Sequence, residues 1–493
     1  MLKIYNEVVK KQKNFWNGCV FHPTDAVEDP WGKRILDKMS EDGAINTIRI
    51  YAMFEDIVYL DGEDNLCFDF RVSDLRLDYL VSKGFDLLIA YAGMPECIAR
   101  NFSTGVIAAK NKTRYKGKMW NTSPPKSQEI WEEVCYQYTK HNLERYGEEV
   151  VSKWRCHCFN ESDIPMFFMA DLPWGEDSTL ERAKEYCQMY EGFVKGVRRA
   201  CSEIAIGGPA LASDETFFEY FLNNVKEKKL PLDFISLHYY GAEPYELNEG
   251  LKEFGVSNLL DKHKSRLAVV KKCGFEDTPI IIDEWGACSH GFFNKEECPM
   301  LMFRETEQYP AYYTRLIHDI VYSDMKMDAL MICLSGQHEM TEDFSGFRNF
   351  FTLNFIKKPI YNAYILASKL GEDLLKYSCE NPYVYALPTK TEKGYAVMFT
   401  YAADNFNTTL EDAQETLCFE ENIAGKKMTI WAIDKTHTNP YALYQNMGMG
   451  TPTKAELTLL REEGILKPVY QGEAKAEVVF PFTANATYLV MVE

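Results

Sequence analysis

The chain has 493 residues, 46% hydrophobic and 26% charged, which excludes disordered and collagen-like classes and favours two globular domains of unequal size. Fifty-four basic against 73 acidic residues leave a formal charge of −19, a field that repels nucleic acid and anionic membrane surfaces. The first twenty residues hold no apolar targeting core and no run reaches membrane-spanning length, so a cytoplasmic protein without a membrane partner is expected.

Short apolar runs alternate with helical stretches, the pattern of a parallel α/β fold. Eight strands are expected at 19–21, 47–51, 85–92, 154–159, 204–207, 234–239, 279–283 and 329–334. Between the fourth and fifth, Ser178 and Glu181 form a capping-box pattern, followed by Leu180, Ala183, Cys187, Tyr190, Val194, Val197 and Cys201 at helical spacing. After a last helix through Leu370 the period changes to two, with strands expected at 383–387, 395–401, 428–433 and 488–492. The reading is a (β/α)8 TIM barrel over 14–368 and a C-terminal β-sandwich over 369–493.

Two glutamates stand where apolar strands end: Glu161 in Phe159-Asn160-Glu161-Ser162, and Glu284 in Ile281-Ile282-Asp283-Glu284-Trp285. They would lie at the C-terminal ends of strands four and seven, on the barrel face that carries chemistry. One protonated and one ionised carboxylate facing each other are the equipment of a retaining glycosidase. Strand alternation places Asp283, the rival of Glu284, on the opposite face. The fourteen cysteines show no paired CxxC spacing, and no histidine set has metal spacing, so mostly buried free thiols, no metal and no cofactor are expected.

Several motifs in series resemble glycoside hydrolase family 39, whose activities centre on β-D-xylosidase and α-L-iduronidase: Arg49-Ile50-Tyr51-Ala52-Met53-Phe54-Glu55-Asp56, Ser123-Pro124-Pro125-Lys126, Asn160-Glu161, Gly207-Gly208-Pro209, Asp233 through Tyr240, Asp283-Glu284 and Lys357-Lys358-Pro359. The resemblance implies Glu161 as acid/base, Glu284 as nucleophile, Arg49, Asn160 and Tyr240 as supports, and His238, Tyr51, Trp285 and Glu339 as sugar-site residues. It also implies that the N-terminal strand, 1–13, joins the β-domain. Departures from the family's xylosidases are Ser162 in place of proline, Tyr51 in place of histidine, and Met331-Ile332-Cys333-Leu334-Ser335 without the strand-eight tryptophan. The stretch 288–309 is longer than theirs.

The expected activity is retaining exo-hydrolysis of a small oligosaccharide or glycoside, β-D-xylosidase-like. The alternatives are another sugar (α-L-iduronide, arabinoside, glucoside or galactoside) and, from a different class, a catalytically silent carbohydrate-binding relative. The sequence leaves oligomeric state open, a homo-oligomer included.

Overall fold

Eight apolar segments pair in parallel, each with its neighbours in the chain, and close on themselves. After an N-terminal strand, β1 (Leu2–Lys11), these are β2 (Gly18–Phe21), β3 (Thr47–Tyr51), then β6 (Asp86–Tyr91), β7 (Arg155–Cys158), β8 (Ala205–Leu211), β9 (Phe234–Ala242), β10 (Ile280–Cys288) and β11 (Ala329–Leu334). A hairpin of β4 (Val58–Leu60) and β5 (Leu66–Phe68) is inserted after β3. The computed structural model describes residues 1–21, 27–104, 120–242, 255–291, 293–335, 340–406 and 408–493. Glu339 lies outside the described residues.

The strands are apolar on both faces because the interior is packed and helices cover the outside. Helix Glu176–Ala200 begins two residues before the expected capping box, after Gly175, with Glu176 and Asp177 in its first turn where the helix dipole favours acids. Thr179, inside that turn, donates instead to Asp214 Oδ2 at 2.8 Å. The helix crosses Gln128–Tyr146 so closely that a Cβ on Gly196 would stand 2.3 Å from the Glu132 carbonyl.

Beyond helix Pro359–Ala367 lie β12 (Asp373–Ser378), β13 (Val384–Lys390), β14 (Tyr395–Tyr401), β15 (Ala413–Phe419), β16 (Lys427–Ile433), β17 (Pro468–Glu473), β18 (Glu477–Phe482) and β19 (Thr487–Val492). The two layers expected of a sandwich come from one nine-stranded, mostly antiparallel sheet, in the order β17-β16-β19-β14-β13-β12-β1-β15-β18, that curls over its own core. Phe399 of β14 meets Phe480 of β18 at 5.0 Å across that core, beside its cross-strand neighbour Tyr488 of β19 at 5.4 Å. β1 sits inside the sheet, antiparallel to β12 and parallel to β15.

Two helices, Pro440–Asn446 and Lys454–Glu463, occupy a stretch where only strands and turns were expected. Thr453-Lys454-Ala455-Glu456 is a capping box that announced the second. Tyr444 and Leu460 from these helices pack with Phe344 and Ile356, from the segment that follows β11. All fourteen cysteines are free thiols, most of them buried. Among the described residues no helix is long and apolar enough to cross a membrane.

Candidate active site

The chain leaves β7 through an unusual backbone. Phe159 and Glu161 both have left-handed φ, +56° and +46°, on either side of Asn160. Each such residue costs about 1–2 kcal/mol, and strain of this kind concentrates at working sites. The turn is held by the Glu161 amide donating to Ala210 O at 3.0 Å. Buried Asp163 fixes it further, accepting from the amides of Ala212 (2.9 Å), Ser213 (2.7 Å) and Asp214 (2.9 Å) after β8.

Strand β10 departs from simple alternation. Its register against β9 shifts between Ile282 and Glu284. This irregularity turns both Asp283 and Glu284 into the barrel, correcting the expectation that they face apart: Arg49 Nε lies 3.1 Å from Asp283 Oδ2 and Arg49 Nη1 2.7 Å from Glu284 Oε1. The next residue then faces outward. Trp285, expected at the sugar, is fully buried on the barrel's outer side, stacked on Tyr313 at 5.8 Å.

Glu284 is 5% exposed and held from three sides. Besides Arg49, Tyr240 OH donates to Oε2 at 2.8 Å, and the Tyr51 hydroxyl lies 3.0 Å from Oε1. Arg348 donates to the Tyr240 oxygen at 2.8 Å and to Ser335 Oγ at 3.0 Å. Asn160 Oδ1 accepts from Arg49 Nη2 at 2.7 Å and lies 2.9 Å from the Tyr51 hydroxyl, which fixes the amide's orientation. Tyr51, expected to touch sugar, is only 3% exposed and spends its hydroxyl on protein. Its edge meets the ring of Trp120 at 6.1 Å.

Glu161, 8% exposed, accepts from His238 Nδ1 through Oε1 at 2.7 Å; Oε2 has no protein partner among the described residues. His238, the other expected sugar contact, is 1% exposed and faces carboxylates with both ring nitrogens, its Nε2 standing 3.5 Å from Asp283 Oδ1. Oxygens of Glu161 and Glu284 lie within 4.8 Å of each other and of a His238 nitrogen.

The environments drive the two glutamates apart. Burial raises Glu161 to about 7, with the Glu284 charge adding to it against the lowering hydrogen bond from His238. Burial also opposes ionisation of Glu284, but His238, Arg49, Arg348 and the Tyr240 hydrogen bond outweigh it and hold the carboxyl well below the ordinary range. Burial alone would lower His238; Glu284, Asp283 and Glu161 instead raise it to about 10. An imidazolium has no lone pair to give, so the trio does not suit a metal ion despite its spacing. The arrangement offers one protonated carboxyl, one ionised carboxylate and a donor set aimed at the latter.

Sequence reasoning missed Asp163, Ser335 and Arg348. For Arg348 a signal existed: a lone cation in the aromatic run from Phe344 to Phe351.

A barrel with paired carboxylates at the C-terminal ends of strands four and seven defines a glycoside hydrolase. The family model described as glycosyl hydrolases family 39 matches residues 2–483. A β-xylosidase of Caldicellulosiruptor saccharolyticus is 25% identical over 498 residues, covering 96% of this chain and 92% of that protein. Among solved structures, a monomeric β-xylosidase from Caulobacter crescentus CB15 superposes with TM-score 0.81 at 17% identity, over 100% of this chain and 99% of that one. A bacterial orthologue of human α-L-iduronidase gives TM-score 0.75 at 16% identity, over 100% and 83%. These structural likenesses show the fold. The chain belongs to glycosyl hydrolases family 39 and acts on sugar substrates.

Proposed function

We propose that the chain is a retaining exo-glycosidase, β-D-xylosidase-like, with Glu161 as acid/base and Glu284 as nucleophile. Glu284 attacks the anomeric carbon while Glu161 Oε2 protonates the departing glycosidic oxygen; Glu161, now a base, then activates the water that releases the sugar from Glu284. Arg49, Tyr240 and Tyr51 keep the nucleophile ionised and aimed. Asn160 has its Oδ1 engaged, which leaves Nδ2 for the sugar 2-hydroxyl.

The observation that carries this reading is the separation of the two carboxyl groups, with oxygens within 4.8 Å. Inverting enzymes keep their carboxyls about 6.5–9.5 Å apart to admit a water, retaining ones about 5–5.5 Å. The xylosidase preference is supported by the relative that spans 96% of the chain. The binding-only alternative gives no reason for two carboxyls to be driven to opposite protonation states.

The test is a pair of variants. Glu284→Ala should abolish turnover on every substrate. Glu161→Ala should lose about 10²–10⁴-fold on glycosides with poor leaving groups, lose far less on dinitrophenyl glycosides, and yield a glycosyl azide of retained configuration when azide is added. Equal loss in both variants, with no azide product, would overturn the assignment.

A further inference from the structure

Asp283 touches neither oxygen of the proposed acid/base, yet it is fully buried in the barrel beside it. Its partners are close contacts rather than well-aligned hydrogen bonds: the cations Arg49, with Nε at 3.1 Å, and His238, with Nε2 at 3.5 Å, and at 3.3 Å the Nε2 of His157, a ring that burial keeps neutral and that accepts from Arg49 Nε. The charged and titratable groups around His238 are Glu161 in the turn after β7, His157 on β7, Asp283 and Glu284 on β10, Arg49 on β3 between Asp283 and His157, and Tyr240 on its own β9, with Arg348 behind Tyr240 and Arg266 bonding the His238 carbonyl. Three carboxylates therefore converge on one imidazole, and Asp283 is the one at its Nε2 end.

We propose that Asp283 is a positioning residue whose negative charge keeps His238 an imidazolium, so that Nδ1–H stays on Glu161 Oε1 and the acid proton of Glu161 is carried on the partnerless Oε2, facing the leaving group. This rests on Glu161 being the acid/base. Without the Asp283 charge a neutral ring can hold its hydrogen on Nε2, and Nδ1 then accepts the Glu161 proton through Oε1, turning it away from the substrate. In the intact site that proton passes from Oε2 to the glycosidic oxygen and is regained from the attacking water, while His238 keeps both of its own. The depressed carboxyl of Asp283 agrees with this: burial would raise it, but the Arg49 and His238 charges hold it well below the usual range.

Asp283→Asn keeps the shape and removes the charge. Its loss of kcat on xylobiose, whose departing sugar needs an acid, should exceed its loss on 2,4-dinitrophenyl β-xyloside by about tenfold or more. Equal losses on both, or no loss on either, would mark a structural residue and overturn the proposal. Nitrogen-15 histidine NMR reads the charge without turnover, with the His238 resonance assigned by its disappearance in His238→Gln. In the wild type this ring should stay doubly protonated at about pH 8, above the ordinary histidine value of about 6.5, and should become neutral there in Asp283→Asn. A wild-type ring already neutral at that pH overturns the proposal, whatever the kinetics. If the azide experiment fails while the ring proves protonated, the role of Glu161 falls and the charge state of His238 stands.

Discussion

Glu161, Asp283 and Glu284 share the floor of one barrel, and what separates them is which cations each can reach. Glu284 and Asp283 have Arg49 at salt-bridge distance; among the described residues Glu161 has only His238. Glu161 must be protonated to act as an acid, and burial raises it to about 7, so kcat/KM for a poor leaving group should fall as pH rises through about 7. The depressed Glu284 should give no acid limb in the ordinary carboxylate range. A pH profile of kcat/KM on xylobiose checks both limbs; a basic limb near the ordinary carboxylate value of about 4.3 would contradict the account. Tyr51→Phe removes a hydroxyl from a charged acceptor, which should cost about 1.5–3 kcal/mol, roughly ten- to a hundredfold in kcat/KM. Tyr51 stands where the resemblance drawn from the sequence implies a histidine, so Tyr51→His should reorder kcat/KM across a panel of aryl glycosides, and an unchanged order would show that the substitution does not tune the sugar. At this scale the sequence was legible where a carboxylate followed an apolar run. It was not legible for His238 and Tyr51, because whether a side chain faces sugar or protein depends on neighbours from other strands.

Most strand positions were readable because a parallel barrel strand, buried on both faces, is a largely apolar run; 329–334 matches β11 end to end, and 47–51 matches β3 although Arg49 interrupts it. The shift in β10 was not readable, since Ile280-Ile281-Ile282-Asp283-Glu284 fits regular alternation equally well and only the partner strand shows the slip. That slip decides which two side chains enter the barrel. The capping box at Thr453 was present in the chain but lies between strand patterns, and the helix it starts leans on residues more than ninety positions away. The loop carrying Glu161 depends on Asp163 in a comparable way, through three backbone amides of the next loop. Asp163→Ala would take the acceptor from three half-buried or exposed backbone amides, and should destabilise the protein by about 1–2 kcal/mol in denaturant titration. A loss under about 0.5 kcal/mol would show that the turn is held by other contacts.

Over the whole molecule the two folded parts are joined at both ends of the chain. β1 supplies an inner strand to the curled sheet between β12 and β15, burying Leu2 and Ile4, before the chain enters the barrel at β2. Asn439 reaches Glu307 at 2.8 Å, and Asn362 reaches the Gly464 carbonyl at 2.9 Å. Deleting residues 1–11 would leave two inner edges of the sheet unpaired. Calorimetry should then show a lower Tm than the full chain, and an unchanged Tm would mean β1 adds nothing to the sheet. The central claim, that Glu161 and Glu284 stand close enough for a covalent glycosyl-enzyme, is tested most directly by the configuration of the first-formed product. Proton NMR of the anomeric signal, followed from the first minutes of xyloside hydrolysis, should show the β-sugar appearing first and the α-sugar only later by mutarotation. The α-sugar appearing first would mean inversion, and would contradict the account.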